Sequence, residues 1–156
     1  MSEFIEGACP VEFPCERDGV ERLLPHRDPF LWVSRILECE PGVSAVCELD
    51  VDPDLELFRG HFPGMPVLPG VILMEALAQA ASCCLLADAS KAGSEGYLVG
   101  IDNAKFRATV LPGETVMLKA TITKANKRMC VAEVEAVKAD GSIAASATQK
   151  YVMAKK

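Results

Sequence analysis

The stretch that decides the fold is RGHFPGMPVLPG (59–70), followed directly by VILMEALAQAASCCLLA (71–87). In the first half Pro63, Pro66 and Pro69 alternate with Gly60, Gly64 and Gly70. Proline fixes its own backbone angle and glycine permits unusual ones, so this half is expected to be a rigid, non-helical loop. The second half is built from helix formers and is almost wholly apolar. Its only polar residues, Glu75, Gln79 and Ser82, are spaced by four and three and so share one stripe of a helix. A membrane span needs about 20 mostly apolar residues without a central charge, and this run is shorter and interrupted. A helix that is apolar nearly all round belongs inside a protein.

Upstream, in ERLLPHRDPFLWVSRILECE (21–40), Pro25 and Pro29 predict a turn followed by the apolar run Phe30–Val33. Residues 42–51 alternate. Val43, Ala45, Cys47, Leu49 and Val51 point one way and Ser44, Glu48 and Asp50 the other, the pattern of a half-buried strand. Residues 1–20 have no clear period and suggest a loose arm or a short first element ahead of a single domain over 21–156. Downstream, the period switches to two. GYLVGIDNAKFRATV (96–110) fits two short strands or one bent strand, and Pro112-Gly113 is a turn. Strands are expected over 115–123, 128–138 and 143–153, with turns at Asn126-Lys127 and Asp140-Gly141. Strand material, one buried helix, then about four antiparallel strands is an α+β order, with the sheet wrapped around the helix.

The chain has 156 residues and a mass of 16.7 kDa. A domain of that size can close a core without disulfides or metals. A net charge of −6 argues against a nucleic-acid binder, and two histidines exclude a histidine-rich metal site. The charge is uneven: acids dominate up to residue 100, and lysine and arginine dominate beyond it. Such asymmetry points to an acidic partner, a charged self-contact or simply solvated strand faces. None of the seven cysteines has C-x-x-C spacing, and the N-terminus lacks a basic stretch followed by an apolar core. We therefore expect a cytoplasmic protein without membrane insertion, its thiols reduced and serving as small core residues rather than nucleophiles.

The chemistry concentrates around residues 59–87. A carboxylate in an apolar helix is costly unless it is neutral or partnered, and burial favours the protonated form, so Glu75 is an acid candidate. The competing reading is that its stripe reaches solvent or pairs with an arginine. His61, in the stiffened loop, is suited to moving protons near neutral pH, although a histidine can also merely tie a loop together. Gly70 stands where the helix opens, and free N–H groups with a partial positive charge there can hold a developing oxyanion. Base, oxyanion donor and acid in this order fit proton abstraction next to a carbonyl, followed by loss of a leaving group. There is no G-x-S-x-G elbow, phosphate loop or dinucleotide turn. His26, between Pro25 and Arg27, is expected to brace its turn.

Three blocks, LLPHRDPFLWVSR (23–35), FRGHFPGMPVLPGVILMEALAQA (58–80) and GIDNAKFRATVLPGE (100–114), together resemble the beta-hydroxyacyl-ACP dehydratases of the FabZ type. The resemblance implies a hot-dog fold and a homodimer with shared active sites, often assembled further into a trimer of dimers. It implies dehydration of a (3R)-3-hydroxyacyl thioester to the trans-2-enoyl thioester in fatty-acid biosynthesis. His61 of one subunit would be the base and Glu75 of the other the acid. The Gly70 N–H would polarise the thioester carbonyl, the Val67 carbonyl would orient His61, and Gln79 would steady Glu75. No metal or redox cofactor is implied, since the substrate carries its own phosphopantetheine thioester. The partner would be the acidic acyl carrier protein, for which Lys124, Lys127 and Arg128 are the candidate docking group, while Lys105 and Arg107 flank Phe106. Asp28, Ser34 and Trp32 depart from the family pattern, outside the His–Glu block. Rival readings are a hot-dog thioesterase, an enoyl-thioester hydratase and a non-catalytic acyl-binding homologue.

Overall fold

The helix expected over 71–87 forms as α2, Gly70–Ala87, about 27 Å long. In the computed structural model, which describes residues 9–155, it is the element that the rest of the chain encloses. Around it run α1 (Arg17–Leu23), β1 (Arg35–Glu40), β2 (Ser44–Asp50), β3 (Ser94–Phe106), β4 (Thr115–Ala125), β5 (Met129–Val137) and β6 (Ile143–Lys155). The strands form one antiparallel sheet in the order β1-β2-β4-β5-β6-β3. This is the hot-dog arrangement. By length and composition α2 could cross a membrane, but 78 % of it is buried inside the chain's own sheet.

The core explains that enclosure. On α2, Ala76, Leu77, Ala80, Ala81, Cys83 and Cys84 are fully buried. Small residues let the sheet approach the helix closely, and each buried apolar group adds to the hydrophobic term at about 25 cal/mol per Å². From the sheet, Cys47, Val116, Leu118, Cys130 and Ala132 complete this layer. All seven cysteines are free. The Cys83 thiol is pushed well above its ordinary value by its hydrogen bond with Cys47 and then by burial, the reverse of what a nucleophile needs.

The turns lie where the residues place them. Gly113 and Gly141 have φ of 85° and 87°, which a side chain would resist. Asn126 Oδ1 accepts from the backbone N–H of Arg128 and Met129, and Asp140 Oδ1 accepts from that of Ser142. The segment 96–110 resolves as one bent strand up to Phe106 and irregular backbone beyond it: β3 slips register at Leu98/Gly100 and Asp102/Lys105, with Asn103 at φ 54°.

The apolar run Phe30–Val33 follows the Pro25–Pro29 turn, and the side chain of Gln79 takes its Phe30 carbonyl and Trp32 N–H. The strand β1 begins at Arg35. Of the first twenty residues, 1–8 lie outside the described residues. The remainder holds a short first element: Cys15 bridges to Ile36, and α1 runs past residue 20 and buries Val20 and Leu23.

Arg35 closes this edge of the sheet. Its guanidinium bonds Glu48 and Asp50 of β2 and meets Glu16. Hydrogen bonding from Arg35, followed by that from Thr115, holds the Asp50 carboxyl below the usual carboxylate value despite some desolvation. A depressed folded value means that the stabilisation is present above the unfolded value and is lost as pH falls through the folded one. Asp50 is largely solvated, so Asp50→Asn is expected to cost only about 0.2–1 kcal/mol at neutral pH. In acid below the folded value the two proteins should converge, as checked by urea unfolding at both pH values.

Candidate active site

The loop ahead of α2 is locked by its own backbone. His61 N–H donates to the Leu57 carbonyl, Phe62 and Met65 exchange hydrogen bonds, and Val67 N–H donates to the His61 carbonyl. Leu68 N–H reaches the Val110 carbonyl beyond β3. This rigidity fixes the His61 ring, which stacks on Phe62 with centroids 4.0 Å apart. His61 Nδ1 lies 2.7 Å from the Val67 carbonyl oxygen. A carbonyl only accepts, so Nδ1 carries the hydrogen and Nε2 of the neutral ring is left as the base.

His61, Val67 and Gly70 line one cavity of about 350 Å³, walled by Leu68, Leu73 and Phe106. Gly70 is the first residue of α2, so its N–H has no carbonyl one turn back within the helix. His61 and the Gly70 N–H thus share a mostly apolar chamber at a positive helix end.

Glu75 is not in that chamber. It lies about 140° round the helix from Gly70, and among the described residues no hydrogen bond or ion pair joins it to His61. Its side chain is 24 % exposed, facing His26, whose Nε2 is 3.8 Å from Glu75 Oε1. Gln79, one turn on and 1 % exposed, donates to the same Oε1 at 2.9 Å. The other bonds of Gln79, to Phe30 O and from Trp32 N–H, are 2.8 Å each. Thus the polar stripe reaches a half-buried cleft and pairs with a histidine and an amide, not with an arginine. Within one chain the structure brings His61, Val67 and Gly70 together on one side, and Glu75 and Gln79 on the other.

His26 is the residue that sequence reasoning misplaced. Its ring makes no hydrogen bond to its turn, since Arg27 performs the bracing by donating to the carbonyls of Glu21, Leu24 and His26. The available signal was spatial: the Pro25–Pro29 turn packs on the stripe that carries Glu75.

Comparison with known proteins adds the family. The FabA-like domain model matches residues 24–148. The 3-hydroxyacyl-[acyl-carrier-protein] dehydratase FabZ of Lactobacillus helveticus is 41 % identical over 131 residues, 84 % of this chain and 88 % of that protein. The chain belongs to the FabZ-type dehydratases. The FabZ of Ruminiclostridium cellulolyticum is 39 % identical over 136 residues, 87 % of this chain and 95 % of its own length. Among solved structures, the dehydratase heterocomplex ApeI:P from Xenorhabdus doucetiae aligns with a TM-score of 0.76 at 19 % identity, over 94 % of each chain. That likeness supports the fold.

The departures from the FabZ pattern lie together. Asp28 pairs with Arg17, Ser34 Oγ accepts the Asp50 N–H, and Trp32 is buried. These three line a separate depression, away from the His61 cavity.

The candidate docking group occupies the β4–β5 turn. There Met129 is level with Val152 of β6, whereas Phe106 is level with Ala145. The turn is therefore about 23 Å along β6 from the His61 cavity of the same chain. Lys105 and Arg107, on either side of Phe106, are exposed and nearer to the cavity.

A Cβ on Gly70 would stand 2.7 Å from Phe106 Cε1, so the ring would have to leave the cavity wall. Phe106 is exposed, so it can move at little cost to folding. For Gly70→Ala we expect dehydratase turnover to fall about tenfold to a hundredfold, with stability changed by less than about 1 kcal/mol. Parallel kinetics and thermal unfolding check this.

Proposed function

We propose that this chain dehydrates a (3R)-3-hydroxyacyl thioester on acyl carrier protein to the trans-2-enoyl thioester, as a hydro-lyase of fatty-acid biosynthesis. The observation that carries the chemistry is the 2.7 Å contact of His61 Nδ1 with the Val67 carbonyl, which leaves Nε2 of the neutral ring as the base in the cavity that Gly70 also lines. His61 Nε2 takes the proton from the carbon next to the thioester carbonyl. Negative charge develops on the carbonyl oxygen, where the Gly70 N–H and the helix end stabilise it. The C–O bond at the third carbon then breaks as Glu75 gives its proton to the departing hydroxyl, and a water molecule leaves. The double bond forms, the proton removed from carbon stays on His61, and Glu75 ends as a carboxylate. This chemistry asks for no metal or redox cofactor. A thioesterase reading gains no support from the site: of the residues lining the cavity only Thr109 carries a hydroxyl, and among the described residues no base is hydrogen-bonded to it.

The reading calls for two chains. Base and acid lie on different sides of α2, so a complete set needs Glu75 from a second copy. The surface supplies a place for it. Among the described residues β3 pairs only with β6, and Tyr97, Val99, Ile101 and Phe106 on it, with Phe62 and Met65 of the loop, are exposed. An apolar edge strand of this kind is a template for pairing. A homodimer joined there covers that face and places each His61 near the partner's helix.

The carrier partner is acidic, so exposed cations should guide it. Lys105 and Arg107 are placed to meet it at the cavity, with Lys124, Lys127 and Arg128 as a more distant contribution. A cytoplasmic location fits this partner and the free thiols.

The test is reversible hydration of a short trans-2-enoyl thioester. Wild-type protein is expected to turn over, and His61→Ala and Glu75→Gln each to lose at least about a hundredfold in kcat. On carrier-borne substrate, turnover should also weaken with added salt. A near-wild-type rate for Glu75→Gln contradicts the acid assignment, and no wild-type turnover on carrier or coenzyme A thioesters contradicts the reaction.

A further inference from the structure

In the mechanism above, each turnover leaves Glu75 as a carboxylate in a half-buried cleft, and it must regain a proton before the next. Gln79 cannot supply one, since an amide donates a hydrogen bond but not a proton. The titratable side chain beside Glu75 is His26, with Nε2 3.8 Å from Oε1 and a side chain 26 % exposed. That separation exceeds a hydrogen bond, as is common at catalytic contacts before substrate closes the site. His26 Nδ1 is buried without a hydrogen-bond partner, one of two such side-chain atoms among the described residues. The ring is therefore not held by the turn it belongs to. The turn itself is fixed independently, by Arg27 on one side and by Gln79 at Phe30 and Trp32 on the other. An aimed histidine with no structural bond of its own, next to a spent acid, has the chemistry of a proton carrier.

We propose that His26 acts through Glu75 as its proton-returning partner. The proposal rests on the reading of Glu75 as the acid. Protonated His26 gives its Nε2 proton to the Glu75 carboxylate, yielding neutral imidazole and carboxylic acid. The imidazole then takes a proton from solvent, while His61 releases the one it took from substrate, so that no net proton is consumed. Within the chain, the other charges around the pair do not compete for this role. Arg27 is turned into backbone carbonyls and toward Glu21. Tyr151 of β6, within electrostatic reach of Glu75, has its phenol pushed far up by burial and donates to Gln149.

His26→Gln and His26→Ala test this in the full-length protein. In this role His26 acts on Glu75 and not on substrate, so kcat should fall about tenfold to a hundredfold with KM little changed. The basic limb of the kcat–pH profile should move to lower pH, because Glu75 would have to be reprotonated directly from solvent. Added imidazole should restore kcat in His26→Ala in a concentration-dependent way. A His26→Gln protein at wild-type rate would overturn the proposal, because the amide can hold the carboxyl but cannot carry a proton. A raised KM without imidazole rescue would also overturn it, by assigning His26 a structural role. Glu75→Gln, measured alongside, separates the two levels: if it stays active, the acid reading itself is wrong whatever His26 does.

Discussion

One buried amide holds the Glu75 side of this protein together. Gln79 spends its Nε2 on the Phe30 carbonyl and the Glu75 carboxyl, and its Oε1 on the Trp32 N–H. Two backbone groups that lack a ladder partner are thereby satisfied, each of which would otherwise cost about 1–3 kcal/mol if left buried and unpaired. The same amide fixes the carboxyl that stands one helical turn away. The Pro25–Pro29 turn is consequently docked on α2 at the place where the chemistry needs it, and it brings His26 with it.

The base half is organised by a different constraint, the stiffness of the Pro–Gly loop. Reciprocal hydrogen bonds between His61 and Val67 orient the ring and define its tautomer before any substrate arrives. Helix α2 links the halves. Its N-terminus brings Gly70 into the cavity that His61 lines, and its polar stripe carries Glu75 round to the opposite side. A single rigid element can set both positions only because the sheet encloses it so tightly, through small residues such as Ala76, Ala80 and Ala81.

Much of this was legible in the residues. Alternation in 42–51 and 115–123 marked strands because one face of the sheet is buried and the other is wet, and Asp140-Gly141 marked a hairpin because Gly141 needs a positive φ. His61 and Gly70 were legible because they adjoin in sequence and so had to adjoin in space. The setting of His26 was hidden. It looked like a brace, because Gln79, which docks its turn on α2, lies more than forty positions away. Periodicity reports which face is apolar, not which distant side chain takes a backbone partner. The separation of His61 from Glu75 by the girth of a helix is likewise a property of three dimensions, and it is what the proposed second chain would bridge.

The central claim is that a working site takes His61 from one chain and Glu75 from another. Co-expressing His61→Ala and Glu75→Gln chains with different tags, and purifying the species that carries both, tests it most directly. A shared arrangement gives each hybrid dimer one intact site and one doubly defective site, so turnover should return to about half that of wild type. Sites built within single chains would all remain defective, and a hybrid as inactive as its parents would contradict the account.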